Sequence, residues 1–207
     1  MATDAILPLP PAFPHVVLGP EYGQWWRIHA AKHGPWWFSS CDFPPRAESA
    51  IGRFDLPCPN GTCHIGSYLD ASAAESLRER GVEATRAQES ADKRRLSAMS
   101  LERWYGKKIA DFTAVRVGDF GAPKDIANLP RSEARPWAIA AFDGGYSGIL
   151  YHLREDPKRR LGLALFDRAG ARSASANQGA PAPLPVGLRS ELTLLFEGEY
   201  RGDPLPK

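Results

Sequence analysis

The stretch that decides the fold is Gly52–Glu75, which reads GRFDLPCPNGTCHIGSYLDASAAE. Within it, Pro59–Gly61 predicts a turn, because asparagine and glycine adopt positive φ at little cost. The apolar run Thr62–Gly66 is bounded by turn residues and predicts a short strand. Asp70 is placed to cap a helix over Ala71–Arg80. The stretch therefore predicts a turn, a strand and a helix in quick succession.

Glu75 is the acidic residue of interest in this helix. Alanines at 71, 73 and 74 surround it with small side chains, which would leave room for a ligand if this face borders a cleft. The alternative is an exposed helix charge that pairs with Arg78, because most glutamates are exposed. The local pattern alone favours the exposed charge.

A second arginine-bearing segment lies upstream, at Gln24–His29 (QWWRIH), and it predicts a strand. Arg27 stands among aromatic residues and needs a partner. Either its aliphatic stem packs while its head reaches water, or its planar guanidinium holds a pyrophosphate bidentately. The proline- and aromatic-rich segment His33–Arg46 predicts a loop that forms one wall of a pocket, with Trp36–Phe38 as apolar wall residues open to a partner.

Four motifs occur in the order found in the RES domain family, named for an arginine, a glutamate and a serine. GRFD and GTCHIG, at 52–55 and 61–66, with the Ala-Ala-Glu helix after them, resemble the family's central block. WWRIH at 25–29 resembles the segment of its first arginine, and IADFTA at 109–114 resembles a later strand. The block from 131 to 167 (RSEARPWAIAAFDGGYSGILYHLRED…LALFD) resembles its closing part. The resemblance covers about residues 25–167.

The resemblance implies an α+β fold similar to that of ADP-ribosyltransferases, with a split antiparallel β-core and surrounding helices at an NAD cleft. It implies consumption of NAD by cleavage of the bond between nicotinamide and ribose, through phosphorolysis, hydrolysis or ADP-ribose transfer. It also implies a toxin held in check by a helix-turn-helix antitoxin. NAD would be the substrate, phosphate is a candidate co-substrate, and the family chemistry uses no metal.

The resemblance also assigns the site residues. Nicotinamide is a cationic leaving group, so the barrier lies in an oxocarbenium-like ribosyl cation, as in glycoside cleavage. Glu75 takes the family's glutamate position, where a carboxylate stabilises that charge. Arg27 and Arg53 would neutralise the phosphates. The implied catalytic residues are Glu75, Arg27 and His64, and the implied NAD-binding residues are Arg27, Arg53, His64, Leu153 and Arg154.

Two positions depart from the family pattern. His64 stands where the family has a tyrosine that stacks on nicotinamide, and Leu153, beside Arg154, stands at the naming serine. An imidazole can still stack, whereas leucine can neither donate nor accept a hydrogen bond. The departures leave an alternative open, a degenerate RES-like module that binds a nucleotide or a partner without catalysis.

The composition of the chain argues against several other classes of function. The chain has 207 residues, of which 43% are hydrophobic and 24% charged, as in an ordinary soluble globular protein. A net charge of +2 argues against extensive nucleic-acid binding. No apolar run is long enough to span a bilayer, and no basic region precedes the first apolar residues as in a secretory signal. Three cysteines suit a reducing compartment, so we predict a cytoplasmic protein.

The chain is predicted to divide into an extended arm (1–20), a single RES-like domain (21–200) and a tail (201–207). Four prolines in the first fourteen residues favour the arm. Residues 169–187, rich in Ala, Ser, Gly and Pro, predict a flexible loop. Further predicted strands are Arg95–Leu101, Lys108–Phe112, Gly148–Arg154 and Leu161–Phe166, and further predicted helices are Pro123–Leu129, Arg135–Phe142 and Leu188–Phe196.

Three rival constellations fail on geometry or ligand number. Cys58, Cys63 and His64 could suggest zinc, but structural zinc takes four ligands and the second close pair is missing. His29 and His33 have the spacing of a helical metal pair and lack a third ligand. A nucleophilic pair of Cys63 with His64 is disfavoured, because adjacent residues on a strand point to opposite faces.

Overall fold

A computed structural model of the chain describes residues 6–42, 51–78, 93–154, 156, 158–173 and 179–185, without the side chains of 74–78. The longer helices are α1 (Leu69–Arg78) and α2 (Arg131–Asp143). Short 3-10 helices occupy Pro20–Tyr22, Glu102–Trp104, Val115–Phe120 and Ile126–Asn128. The strands are β1 (His15–Val17), β2 (Trp25–Ala30), β3 (Trp37–Phe38), β4 (Asn60–Gly66), β5 (Arg94–Met99), β6 (Lys108–Asp111), β7 (Gly148–His152), β8 (Leu161–Arg168) and β9 (Gly170–Ala171).

Seven strands form one mixed sheet in the order β1-β6-β7-β8-β4-β2-β5, and β3 pairs with β9 in a second, two-stranded sheet. This confirms the α+β class. The predicted split antiparallel core is wrong at one pair of this sheet, because β6 and β7 are parallel. The connection between them carries α2, and a helical crossover is what brings two parallel strands side by side.

The sheet is nearly interrupted between β2 and β4. Among the described residues these two strands pair at a single position, Trp26 with Gly66. Beyond it β2 pairs along its whole length with β5, while β4 pairs along its whole length with β8. The sheet therefore consists of a two-stranded ribbon (β2 and β5) joined at one point to the other five strands.

Apolar side chains pack on both faces of the large sheet. One core contains Phe13, Phe112 and the alanines of α2, and the other contains Trp25, Trp104 and Cys63. Cys63 is buried in the second core, while the ring of its neighbour His64 stacks with Phe54, a member of the first. The expected opposition of these two side chains is confirmed.

The N-terminal residues are packed against this core. Leu9 donates its N–H to the carbonyl of Ala140 in α2, and Phe13 is fully buried against Phe112. Tyr146 donates its hydroxyl to the carbonyl of Pro10. The predicted division into arm, domain and tail stays a prediction.

The turn and the two helices differ in detail from their predictions. A hydrogen bond from the Asn60 N–H to the Pro57 carbonyl closes a turn over 57–60, so the turn begins two residues before the predicted 59–61 and Gly61 belongs to β4. A Cβ on Gly61 would lie 2.9 Å from the Phe38 carbonyl oxygen, so the glycine permits a close approach of two chain segments. Asp70 lies inside the first turn of α1 and does not precede it.

Helix α2 begins at Arg131, four residues before its predicted start, and contains Pro136. The carbonyl of Pro130 starts the helix by accepting the N–H groups of Glu133 and Ala134. Pro136 removes one later hydrogen bond, which the burial of the helix's apolar face offsets. The prediction placed proline at the start, where it is best tolerated, but tertiary packing overrides that preference.

The other predicted strands are confirmed by β2, β4, β5, β6, β7 and β8. Within 169–187, residues Gly170–Ala171 form β9, and Ala182 exchanges two backbone hydrogen bonds of 2.7 and 2.8 Å with Leu96. The described parts of this segment are thus hydrogen-bonded to both sheets. The predicted helix Leu188–Phe196 lies outside the described residues, as does the predicted end of the helix after Arg78. None of the described helices is long and apolar enough to cross a membrane.

Candidate active site

A cavity of about 530 Å³ opens where β2 and β4 diverge. Its walls come from β2, from the segment 32–39, from residues 51–55 and from the end of β4. Ser72 of α1, Arg131 of α2 and Tyr151 and Leu153 complete the lining. This volume is typical of small-molecule and cofactor sites.

The cavity brings together four of the predicted site residues, namely Arg27, Arg53, His64 and Leu153. Arg154 borders a second, smaller cavity of about 210 Å³ instead. The two cavities share Tyr151 and Leu153 in their linings. Arg154 is therefore not part of the lining that the other four share.

Arg27 holds the wall formed by the segment 32–39. It is 8% exposed, and its guanidinium donates to the carbonyl oxygen of Pro35 and, at 2.7 Å, to that of Trp37. Its head does not extend into bulk water, so that interpretation of the sequence is wrong. Both terminal nitrogens of its guanidinium thus donate to the main chain, and the residue lines the cavity.

Only part of the predicted aromatic wall faces the cavity. Trp36 and Phe38 are each 1% exposed and pack in the core with Trp104, so the prediction that they are open to a partner is wrong. Trp37 lines the cavity and stacks on His33 at 4.0 Å between ring centroids. Alternation along β3 explains this, because Trp37 points to the opposite side from its two neighbours.

Arg53 joins the segment 51–55 to the start of α2. It is 4% exposed, and it donates to the carbonyl oxygen of Leu129, just before the helix. The GRFD motif is further fixed by Asp55, whose Oδ2 accepts the N–H of Gly52 at 2.8 Å. A side chain at Gly52 would collide with the Asp55 carboxylate, which explains the glycine.

His64 lies at the centre of the lining. Its ring stacks on Phe54 with 5.9 Å between centroids, and its side chain is 34% exposed. Its Nε2 lies 3.5 Å from Oδ1 of Asp55, a carboxylate that is itself buried. Sequence analysis missed Asp55 as a site residue, although the GRFD motif contains it, because only the fold places it beside His64.

Leu153 forms the floor shared by the two cavities. It is 3% exposed and belongs to the core cluster of Phe54 and Tyr151. A Cβ on Gly162 would lie 2.8 Å from Leu153 Cδ2, so the leucine fills the space above that glycine. The residue at the family's serine position is thus a core residue here.

Glu75 lies in α1, and its side chain is outside the described part of the chain. Ser72, three residues earlier, lines the cavity and is buried. Residues at this spacing share a helix face, so the backbone places position 75 one turn beyond Ser72. Ala71 and Ala73 are buried in the core, where they pack α1 against the sheet and do not widen the cavity.

Helix α1 is fixed by an ion-pair network that sequence analysis missed, which we call the Arg160 latch (Asp70, Asp156 and Arg160). The Arg160 guanidinium donates to both oxygens of Asp70 at 2.8 and 2.9 Å, and to Asp156 at 2.8 Å. Burial would raise the pKa of Asp156, but the hydrogen bonds from Arg160 outweigh it and lower this pKa. The latch joins the first turn of α1 to the β7–β8 connection.

The described lining of the cavity is rich in positive charge. It contains five arginine or lysine side chains and one carboxylate, Asp55. His29 also lines it, with Nε2 at 3.0 Å from Ser97 Oγ, and burial lowers the pKa of His29. Within the described residues no group of three or more His, Cys, Asp or Glu could hold a metal ion. The five cationic side chains are Arg27, Lys32, Arg53, Arg94 and Arg131.

The architecture occurs in a solved structure. A chain in the crystal structure of the M. tuberculosis MbcT–MbcA toxin–antitoxin complex superposes with a TM-score of 0.56, covering 82% of this chain and 88% of that one. The two chains share a fold. Their sequence identity is 18%, so the likeness concerns the fold alone. No model of a protein family matches the chain, and no curated protein matches it significantly.

The shared fold extends over most of this chain, and its α+β class is the one that the sequence predicted.

Proposed function

We propose that this protein is a RES-type toxin that consumes NAD by cleaving the bond between nicotinamide and ribose, with a helix-turn-helix antitoxin as partner. The observation that carries the proposal is the cavity that unites Arg27, Arg53 and His64 beside α1. The fold shared with a chain of a toxin–antitoxin complex supports the same conclusion.

The charge of the cavity favours a dinucleotide. Five arginine or lysine side chains against one described carboxylate attract an anionic ligand, and the pyrophosphate of NAD is such an anion. Guanidinium groups match phosphate oxygens in planar geometry. The ring of His64 and the Trp37–His33 stack supply flat surfaces on which nicotinamide or adenine can lie.

The near interruption of the sheet supports the likeness to ADP-ribosyltransferases. In that fold the β-core splits around the NAD cleft. Here the sheet narrows to the single pair Trp26–Gly66, and the cavity lies at that place. The topology thus offers an extended ligand a groove between two halves of one sheet.

The chemistry requires a carboxylate at the ribose. As the C–N bond to nicotinamide breaks, the electron pair leaves with the ring and positive charge develops on the ribosyl group. We assign the stabilisation of that charge to Glu75, whose position in α1 lies one turn beyond the cavity-lining Ser72. The Arg160 latch positions this helix.

A second candidate is a nucleotide-binding module without catalysis. It is favoured by Leu153, which fills the serine position with a buried leucine. The main-chain hydrogen bonds of Arg27 and Arg53 also favour it, because they use guanidinium donors for architecture. Both candidates bind NAD, and they differ in whether nicotinamide is released.

Purified protein incubated with NAD decides between them. Release of free nicotinamide, followed by chromatography, is expected for the toxin. Binding of NAD in calorimetry without any release would support the non-catalytic module. Absence of both binding and release would contradict each candidate.

The antitoxin partner calls for a test in cells. Expression of the protein alone should slow growth and deplete cellular NAD, and co-expression of a neighbouring helix-turn-helix protein should relieve both effects. The Glu75→Gln variant, expressed at the same level, is the control. Equal growth inhibition by this variant would show that toxicity does not come from NAD cleavage.

A further inference from the structure

Asp55 and His64 form a buried carboxylate–imidazole pair inside the cavity. The carboxylate is almost fully buried, and its Oδ2 accepts the N–H of Gly52 at 2.8 Å, which fixes its orientation. Its Oδ1 points at His64 Nε2 across 3.5 Å. The His64 ring is held flat against Phe54. Both members of the pair are therefore oriented before any ligand binds.

The arrangement determines what each ring nitrogen can do. Nε2 is buried and, within the described residues, has no hydrogen-bond partner, and the Asp55 carboxylate is an acceptor 3.5 Å from it. A proton on Nε2 then faces the carboxylate, and Nδ1 keeps its lone pair. The His64 side chain is one-third exposed and lines the cavity. Nδ1 is thus the nitrogen that can accept a proton from a group inside the cavity.

A proton acceptor at this place is needed only for one kind of nucleophile that attacks the ribose. A phosphate anion is already nucleophilic and needs no deprotonation, whereas water or another hydroxyl must lose a proton as it attacks. A tyrosine at position 64, as in the RES family, offers a stacking ring that is protonated at neutral pH. The imidazole with its carboxylate adds the proton acceptor that a hydroxyl nucleophile requires.

We propose that His64, positioned by Asp55, is the general base that activates water, so that this protein hydrolyses NAD. The inference rests on the proposed function. In the step, a water oxygen bonds to C1 of the ribose while the bond from C1 to the nicotinamide nitrogen breaks, and that electron pair stays on nicotinamide. The water proton passes to His64 Nδ1 and then to solvent. The products are ADP-ribose, neutral nicotinamide and one proton.

The test identifies the acceptor from the products. Wild-type protein is incubated with NAD in phosphate-free buffer, in phosphate, and in buffer with methanol, and the products are separated by chromatography and mass spectrometry. We expect ADP-ribose without phosphate, and an ADP-ribose methyl glycoside when methanol competes with water. Formation of a phosphorylated ADP-ribose only, with no turnover in phosphate-free buffer, would overturn the proposal and leave NAD cleavage intact.

Two variants test the residues. Asp55→Asn keeps an acceptor for the Gly52 N–H but presents an amide N–H to His64 Nε2, which puts the ring proton on Nδ1, the wrong nitrogen. His64→Tyr keeps a ring on Phe54 and loses the base. We expect each to lower kcat of hydrolysis about a hundredfold with little change in KM, because the lost group acts on the acceptor and not on NAD.

The remaining outcomes are decisive as well. If Asp55 has only a structural role, Asp55→Asn should lower the melting temperature and the NAD affinity together, and His64→Tyr should keep full hydrolysis. Full hydrolysis by His64→Tyr would overturn the proposal even if Asp55→Asn fails to fold. Unchanged kcat in both folded variants would also overturn the proposal. No nicotinamide release by wild-type protein under any condition would overturn the proposed function itself.

Discussion

In the Arg160 latch one guanidinium donates to two carboxylates, whereas the cavity gathers five arginine or lysine side chains around a single described carboxylate. In the latch each charge is paired within the protein, and Asp156 is buried against its partner. The cavity concentrates positive charge on a surface that a ligand can reach. The first arrangement is suited to holding α1 in place, and the second to attracting an anion.

Arg27 and Arg53 share features of both the latch and the cavity. They line the cavity, yet each donates to a main-chain carbonyl that fixes a neighbouring segment. A residue can therefore stabilise the wall of a site and still present charge to its interior. Substitutions that separate stability from ligand binding can test the difference between latch and cavity.

The largest expected effect is the loss of the latch. Arg160→Met would leave Asp156 buried without its main donor, and we expect the free energy of unfolding to fall by about 3–5 kcal/mol. Arg159→Met is the matched control, because Arg159 pairs with Asp125 at the surface, where ion pairs contribute at most about 1 kcal/mol. Urea unfolding of both variants measures this. Equal losses would mean that the latch is no stronger than a surface pair.

Leu153→Ser tests whether the cavity floor is architecture. Leucine is nearly fully buried there, so serine creates a void and a buried hydroxyl, and we expect a loss of about 3 kcal/mol in unfolding free energy. Leu153→Met, which keeps the volume, should lose less than about 1.5 kcal/mol. Tighter NAD binding by the serine variant with unchanged melting temperature would show instead that this position contacts the ligand.

Glu75→Gln tests the cavity's function. We expect NAD cleavage to slow by about a hundredfold or more, with an unchanged melting temperature, because one oriented charge at the reacting centre is lost. Glu133→Gln, on the exposed start of α2, is the control for the loss of a glutamate charge. If nicotinamide release is the same in both variants, another residue stabilises the ribosyl cation.

The smallest effect is a change in the pH dependence of stability. Burial lowers the pKa of His29 below its ordinary value of 6.5, and the charge of the nearby Arg27 acts in the same direction against a backbone hydrogen bond at Ala30. The unfolded chain therefore binds a proton more readily than the folded one, and stability should fall as the pH drops below about 6.5. His29→Gln should flatten this part of the profile in denaturant titrations.

Several features of the fold could be predicted from local sequence. The strand at Thr62–Gly66 and the opposite orientation of Cys63 and His64 follow from the period-two alternation of a strand. The helix after it follows from its alanines and its acidic first turn. These features depend on residues close in the chain, and local preference and packing agree on them.

Features that depend on distant residues could not be predicted. Arg160 meets Asp70 across 90 residues, and its place beside α1 follows from the pairing of β4 with β8. Asp55 reaches His64 only because the GRFD segment folds back over β4. The burial of Leu153 likewise depends on its packing above Gly162. No local pattern marks such contacts.

The single junction between Trp26 and Gly66 has a mechanical consequence. Among the described residues the ribbon is joined to the other strands by that pair, and Ile28 and Leu96 of the ribbon pack in a buried cluster with Ala73 of α1. Gly66 is one member of that pair, and a Cβ there would overlap Ser72 Oγ. Even alanine at this position would therefore push the ribbon and α1 apart. The width of the groove then depends on one backbone pair and on this side-chain packing, and a rigid inhibitor that spans the groove would hold the ribbon and the other five strands together.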